Sequence, residues 1–116
     1  MVLKNSYGRA AMICNKIKYA RQFVIGKYKV RVELFSRPVE YNYLERSYRR
    51  HLCNVIFAGS DFSFTAGNMR SAIKIILNNY NEATNEVSMF GVTTSLEKVV
   101  IERNYRYYSV EQISRI

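Results

Sequence analysis

The chain has 116 residues, 48% of them apolar and one of them proline, which indicates a single compact domain, residues 1–116, rather than a disordered segment. No apolar run approaches the length of a membrane span, and the first residues lack the apolar stretch of a signal peptide, so we expect no membrane partner. Two cysteines are too few for a disulfide framework, and we expect a reducing, cytoplasmic setting.

The basic residues are concentrated in the first half of the chain. The formal net charge is +9, from 18 Lys and Arg residues against 9 Asp and Glu residues. Residues 1–50 hold twelve of the basic residues and three of the acidic ones, whereas residues 51–116 hold six of each sign. A surplus confined to half of the chain predicts a basic patch, and such patches attract phosphates or acidic protein surfaces.

The first predicted element is a helix over residues 6–22. Apolar side chains recur with helical spacing along one face: Ile13, Ile17, Ala20 and Val24. Residues 10–14 also fit a buried strand, which is the alternative. Gly26 ends whichever element forms.

A strand is predicted over residues 28–35, where apolar and polar side chains alternate. The apolar face consists of Tyr28, Val30, Val32 and Leu34. The opposite face consists of Lys29, Arg31 and Glu33, and Lys27 extends it. Alternate residues of a strand are about 7 Å apart, so this row would present three closely spaced cations.

Residues 39–50 predict a second helix, which begins after Pro38. Its inner face would contain Tyr41, Leu44 and Tyr48. Its arginines cluster one turn apart: Arg46, Arg49 and Arg50. An extended aromatic loop that includes Tyr43 is the alternative for the first half of this segment.

The central stretch, residues 52–80, predicts a strand, a turn, a second strand and a helix. Residues 52–57 form a short apolar run, and residues 61–64 alternate polar and aromatic side chains. The helix is predicted from one continuous apolar stripe: Met69, Ala72, Ile73, Ile76, Leu77 and Tyr80. Either Thr65 or Asn68 could cap its first turn.

The C-terminal part predicts a short strand over residues 86–90, a break at Gly91 and a long strand over residues 98–108. A capping-box match at residues 109–112 predicts a short final helix. We therefore expect an α+β fold, an antiparallel sheet of four to five strands with two or three helices packed mainly on one face.

Catalytic and metal-binding inventories are poor. His51 is the one histidine, and with Cys53 and Cys14 it falls short of the four ligands of a structural zinc site. Asp61 is the one aspartate, so the convergent carboxylates of a metal-dependent nuclease are absent from the sequence. We expect no metal, no cofactor and no catalysis.

The basic, tyrosine-rich stretch over residues 27–50 favours non-catalytic binding of DNA, RNA or a nucleoprotein. Arginine and lysine would contact phosphates while tyrosines stack on bases. The candidate residues are Lys27, Lys29, Arg31, Tyr41, Tyr43, Arg46, Tyr48, Arg49, Arg50 and, from a second cluster, Arg106.

Two other functions fit the same residues. Tyrosine and arginine are enriched at protein–protein hot spots, so the chain could be an interaction module or inhibitor that docks on an acidic surface. An accessory protein of a virus or mobile element would suit this inventory. A small metal-independent ribonuclease of toxin type is the minor alternative, because the RNA 2′-hydroxyl supplies the nucleophile.

Overall fold

The computed structural model describes residues 20–35 and 52–116. Its regular elements are β1 (Ala20–Ile25), β2 (Tyr28–Leu34), β3 (Cys53–Phe57), β4 (Ser63–Ala66), α1 (Met69–Asn78), β5 (Tyr80–Asn81), β6 (Glu86–Met89), β7 (Val92–Ser95), a 3-10 turn (Leu96–Lys98), β8 (Val99–Arg103) and β9 (Arg106–Arg115). The predictions made for residues 1–19 and 36–51 lie outside the described residues.

The nine strands found in residues 20–35 and 52–116 form two antiparallel sheets. The main sheet has six strands in the order β1-β2-β9-β8-β3-β4, and the small sheet has three in the order β5-β6-β7. Within the described residues, α1 is the one α-helix. The predicted α+β fold, with two or three helices on a sheet of four to five strands, is therefore wrong, because the described chain is mostly β.

The end of the predicted first helix is a strand. β1 pairs with β2 through a tight turn at Gly26, whose φ is 60°. Phe23 lies opposite Val30 and is buried, whereas Val24, expected on the buried helical face, is half exposed. A period of two fits this segment as well as a period of 3.6, and pairing with β2 decides between them.

Two C-terminal predictions are also wrong. The chain reverses at Asn104 and Tyr105, so residues 98–108 form parts of two strands, β8 and β9, instead of one. Residues 109–112 continue β9 and pair with β2, with Val110 opposite Val32. The ladder hydrogen bonds and the burial of Val110 outweigh the local capping-box signal.

The central prediction is confirmed in its element order. Asn68 caps α1, since its Oδ1 accepts a hydrogen bond of 2.8 Å from the backbone N–H of Ser71. The buried residues of the helix are four of the predicted stripe: Ala72, Ile73, Ile76 and Leu77. Full burial of each isoleucine or leucine contributes about 1.5–3 kcal/mol, so this stripe fixes α1 on the sheet.

The face of the main sheet that α1 covers is called the inner face. Its centre is formed by Val30, Val55 and Ile101, all fully buried. α1 contacts β3 and β4 and also the distant strand β1, where Arg70 Nη2 donates to the Val24 carbonyl at 2.9 Å. Six strands at ~4.8 Å spacing are wider than a ten-residue helix is long, so the sheet must curve around α1.

The small sheet is joined to the main sheet at Tyr80 and Glu82. The Tyr80 ring meets Tyr28 edge to face at 5.5 Å, and its hydroxyl lies 3.0 Å from Gln112 Oε1. Glu82 Oε1 lies 3.1 Å from Arg115 Nη1 and 3.8 Å from Lys27 Nζ. Burial, with Tyr28 and Glu82 nearby, raises the pKa of Tyr80, so this phenol stays protonated at neutral pH.

Candidate functional site

The β8–β9 turn places two arginines at one end of the main sheet. Arg103 ends β8, Arg106 begins β9, and the two are paired across the strands. Asn104 and Tyr105, between them, have φ of 54° and 62°. Positive φ at both central positions is typical of the tight hairpin turn whose twist matches the flanking strands. The turn therefore holds the two arginines side by side.

This end of the sheet is called the hairpin end. It comprises Phe35, Leu52, Arg103, Arg106 and Tyr107. Phe35 follows β2 and Leu52 precedes β3, so the strands that carry them flank the β8–β9 pair on either side.

The arginine pair lies on the inner face, in one row with Cys53 of β3. Directly opposed residues of an antiparallel pair have Cβ atoms about 5 Å apart, and like charges in directly opposed side chains are destabilising. Both side chains are partly buried, and within the described residues Arg103 Nε has no hydrogen-bond partner. A bound anion would offset the repulsion between Arg103 and Arg106 and would supply hydrogen-bond acceptors for their N–H groups.

Cys53 is fully buried beside Arg103. Burial raises the pKa of the Cys53 thiol, and the Arg103 charge opposes that rise without cancelling it. Since the thiolate is the nucleophilic form of cysteine, a raised pKa makes Cys53 a packing residue at neutral pH.

Two aromatic rings lie on the outer face of the hairpin end. Phe35 N donates a 3.0 Å hydrogen bond to the Tyr107 carbonyl, and the two rings are 6.3 Å apart with an interplanar angle of 36°. Phe35 is 56% exposed. Exposed rings of this kind can stack on nucleic-acid bases, and every base offers a face for such stacking.

The segment 36–51 lies outside the described residues, but its two junctions are described. The chain leaves the main sheet after Phe35 and returns at Leu52, both at the hairpin end. The candidate residues predicted from this segment are Tyr41, Tyr43, Arg46, Tyr48, Arg49 and Arg50. Chain connectivity thus joins the segment 36–51 to the end of the sheet that carries the second arginine–tyrosine stretch, Arg106 and Tyr107.

The candidate cations of β2 have a different setting from Arg106. Arg31 Nη2 lies 3.4 Å from Glu33 Oε2, and the register places Glu111 directly opposite Arg31. Lys27 lies near Glu82, at the end of β2 that is remote from the hairpin end. The two ends of this seven-residue strand are about 24 Å apart. Lys29 lies beside Val24 and Ser114 in the register. The structure does not bring these three cations together with Arg106.

The sequence analysis included one residue of the hairpin end, Arg106, and left the other four out of the candidate site: Phe35, Leu52, Arg103 and Tyr107. The sequence predicts one strand over residues 98–108, in which Arg103 and Arg106 lie on opposite faces. Asn104, a residue that readily takes positive φ, was the available signal of a reversal.

Other kinds of site find no support in the described residues. Among residues 20–35 and 52–116, no three His, Cys, Asp or Glu side chains come together as a metal site would require. No helix in this part of the chain has the length and apolarity needed to cross a membrane. Comparisons with protein-family models, curated proteins and solved structures found no match.

Proposed function

We propose that the protein binds nucleic acid, as free strands or in a nucleoprotein, through the hairpin end. The observation that carries this proposal is the direct opposition of Arg103 and Arg106 at the end of the sheet from which segment 36–51 leaves and to which it returns. Two like charges held face to face cost stability, and a phosphate between them would convert that cost into affinity.

In this proposal the arginines contact backbone phosphates and the rings of Phe35 and Tyr107 stack on bases. The arginines lie on the inner face and the rings on the outer face. A bound nucleic-acid strand therefore passes over the hairpin end from one face of the sheet to the other. Phosphate contacts and stacking carry little sequence information, so binding should depend weakly on sequence.

The test is fluorescence anisotropy with labelled single-stranded and duplex DNA and RNA, titrated at about 50 and about 200 mM salt. We expect tighter binding to single strands, because unpaired bases are free to stack. The probe is recovered after each titration and sized. A binding protein should leave the probe intact. Cleaved RNA would show instead that the protein is a ribonuclease. If no probe binds at low salt, both nucleic-acid binding and ribonuclease activity are contradicted.

A further inference from the structure

A cavity lies where β8 and β9 stop pairing. β8 begins at Val99 and pairs with β9 only from Arg106 to Ser109, whereas β2 pairs with β9 as far as Arg115. The residues before Val99 form the 3-10 turn, which follows β7 of the small sheet. Within the described residues, the second half of β9 therefore pairs with a strand on one side only. The cavity on its other side has a volume of about 350 Å³, and small-molecule sites begin at roughly that size.

Hydrogen-bond acceptors dominate the wall of this cavity, which we call the acidic cavity. Glu97 of the 3-10 turn and Glu111 of β9 each contribute a carboxylate. The other lining residues are uncharged: Asn85, Leu96, Ser109, Val110 and Gln112. An ionised carboxylate accepts hydrogen bonds and donates none. A ligand that fits the cavity must therefore bring hydrogen-bond donors.

The two walls of the acidic cavity are joined through Tyr80. Its hydroxyl lies 2.8 Å from Asn85 Oδ1 on one wall and 3.0 Å from Gln112 Oε1 on the other. Asn85 is also fixed by Leu96, whose backbone N–H donates a 2.9 Å hydrogen bond to the Asn85 carbonyl. The fold therefore sets the width of the cavity before a ligand arrives, which reduces the entropy lost on binding.

The two carboxylates of the acidic cavity have no counter-charge among the described residues. Neither Glu97 nor Glu111 forms an ion pair in this part of the chain, and Arg31, which lies opposite Glu111 in the register, pairs with Glu33 at 3.4 Å. Lys98 follows Glu97 in the chain, but it does not line the cavity. In a chain with a net charge of +9, this site therefore attracts cations and repels phosphates.

The number of carboxylates favours an organic cation over a metal ion. A calcium ion takes about six to eight oxygen ligands, several of them from carboxylates. Among residues 20–35 and 52–116, no three His, Cys, Asp or Glu side chains come together. Alkylammonium and guanidinium groups each carry several N–H donors and need no such cage. Their carbon chains can pack against Leu96 and Val110, both buried apolar residues of the lining.

We propose that the acidic cavity binds an organic cation, an alkylammonium or guanidinium group, between Glu97 and Glu111. A free polyamine offers this chemistry, and so does a lysine or arginine side chain of another protein. The site is separate from the hairpin end, so the proposal does not depend on nucleic-acid binding.

A nuclear magnetic resonance titration of the isotope-labelled chain tests the proposal. The probes are spermidine and two blocked peptides, in which alanines flank one lysine or one arginine. At about 20 mM salt, we expect a Kd of about 1 mM or lower, with shifted amide signals along residues 96–97 and 109–112. The double variant Glu97→Gln/Glu111→Gln should bind at least about tenfold more weakly. Glu102→Gln, which removes a carboxylate of β8 outside the cavity, should bind as the wild type does.

The probes separate the two sources of the cation. Tighter binding of spermidine would assign the acidic cavity to a free polyamine, and tighter binding of a peptide would assign it to a side chain of a protein partner. The proposal is overturned if no probe binds or if the shifted signals lie outside the cavity. It is also overturned if Glu102→Gln weakens binding as much as the double variant does.

Thermal unfolding gives a second readout that a folding defect would not imitate. A ligand that binds the folded state raises the Tm, so ~10 mM spermidine at constant ionic strength should raise the wild-type Tm by about 3 °C or more. The same addition should leave the Tm of the double variant unchanged. Without spermidine, the wild type and the double variant should unfold within ~4 °C of each other, because both carboxylates are exposed. Equal rises in both would show that spermidine acts elsewhere and would overturn the proposal.

Discussion

Arg103 and Arg106 face each other across the β8–β9 pair, and a positive-φ turn at Asn104 and Tyr105 fixes that opposition. Like charges that lie directly opposite each other across two strands repel, so each arginine raises the energy of the other. The arrangement becomes favourable when an anion lies between or above the guanidinium groups.

Arg103→Gln should stabilise the unliganded protein. The change keeps much of the side chain and removes one of two opposed charges, so we expect the free energy of unfolding to rise by about 0.5 kcal/mol at low salt. The gain should shrink at high salt, because ions screen the repulsion. Denaturant unfolding measures the free energy at low and at high salt. Lys98→Gln is the control, because Lys98 is exposed at the opposite end of the sheet. Loss of stability in Arg103→Gln would show that the charge stabilises the fold.

Tyr107→Ala should weaken binding of single strands more than binding of duplexes. Removing a stacked ring costs about 1–3 kcal/mol per base, and a duplex offers no free base to stack on. Anisotropy with matched single-stranded and duplex probes measures the difference. Tyr107→Phe keeps the ring and should bind as the wild type does. Equal losses on both probes would assign Tyr107 to the fold rather than to stacking.

Glu82→Gln should lower stability slightly without altering nucleic-acid binding. The Glu82 carboxylate is the partner of both Lys27 and Arg115, but all three side chains are partly exposed, and such ion pairs contribute less than about 1 kcal/mol each. Unfolding in low and high salt measures this loss, which should fade as salt rises. Tighter nucleic-acid binding in Glu82→Gln would place Lys27 in the interface and contradict a site confined to the hairpin end.

The protein should lose stability in alkali, in part through Cys53. Its pKa is raised above the usual 9.0 by burial, so the unfolded chain releases its thiol proton at a lower pH than the folded chain does. The folded state therefore binds more protons once the pH passes about 9, and the free energy of unfolding falls as the pH rises further. Cys53→Ala should flatten this fall. Denaturation midpoints between pH 7 and pH 10 measure it, and an unchanged slope in Cys53→Ala would exclude the thiol as a cause.

Local patterns predicted the elements whose apolar residues recur with one clear spacing. The alternation from Tyr28 to Leu34 gave β2 with the correct buried face, and the stripe from Ala72 to Leu77 gave α1. In both, the apolar spacing is decisive because most of one face is buried. Asn68 was one of two proposed caps, and it is the one that binds Ser71.

The failures around β8 and β9 have two different causes. Val110 pairs with Val32, 78 positions earlier in the chain, and no pattern around Val110 reveals that partner. The reversal at Tyr105 was missed because tyrosine seldom takes positive φ. Without that reversal Arg103 could not be placed opposite Arg106, so the centre of the candidate site was not predicted.

The most direct test of the hairpin end is the salt dependence of single-strand binding in the wild type and in the double variant Arg103→Ala/Arg106→Ala. Each phosphate contact contributes about 0.7 to the slope of log affinity against log salt, so the double variant should have a slope smaller by about 1.4 and a lower affinity at low salt. Lys98→Ala, which removes a cation from the opposite end of the sheet, should leave the slope unchanged. An identical slope in the double variant and the wild type would show that the opposed arginines contact no phosphate, and would contradict the proposed function of this end of the sheet.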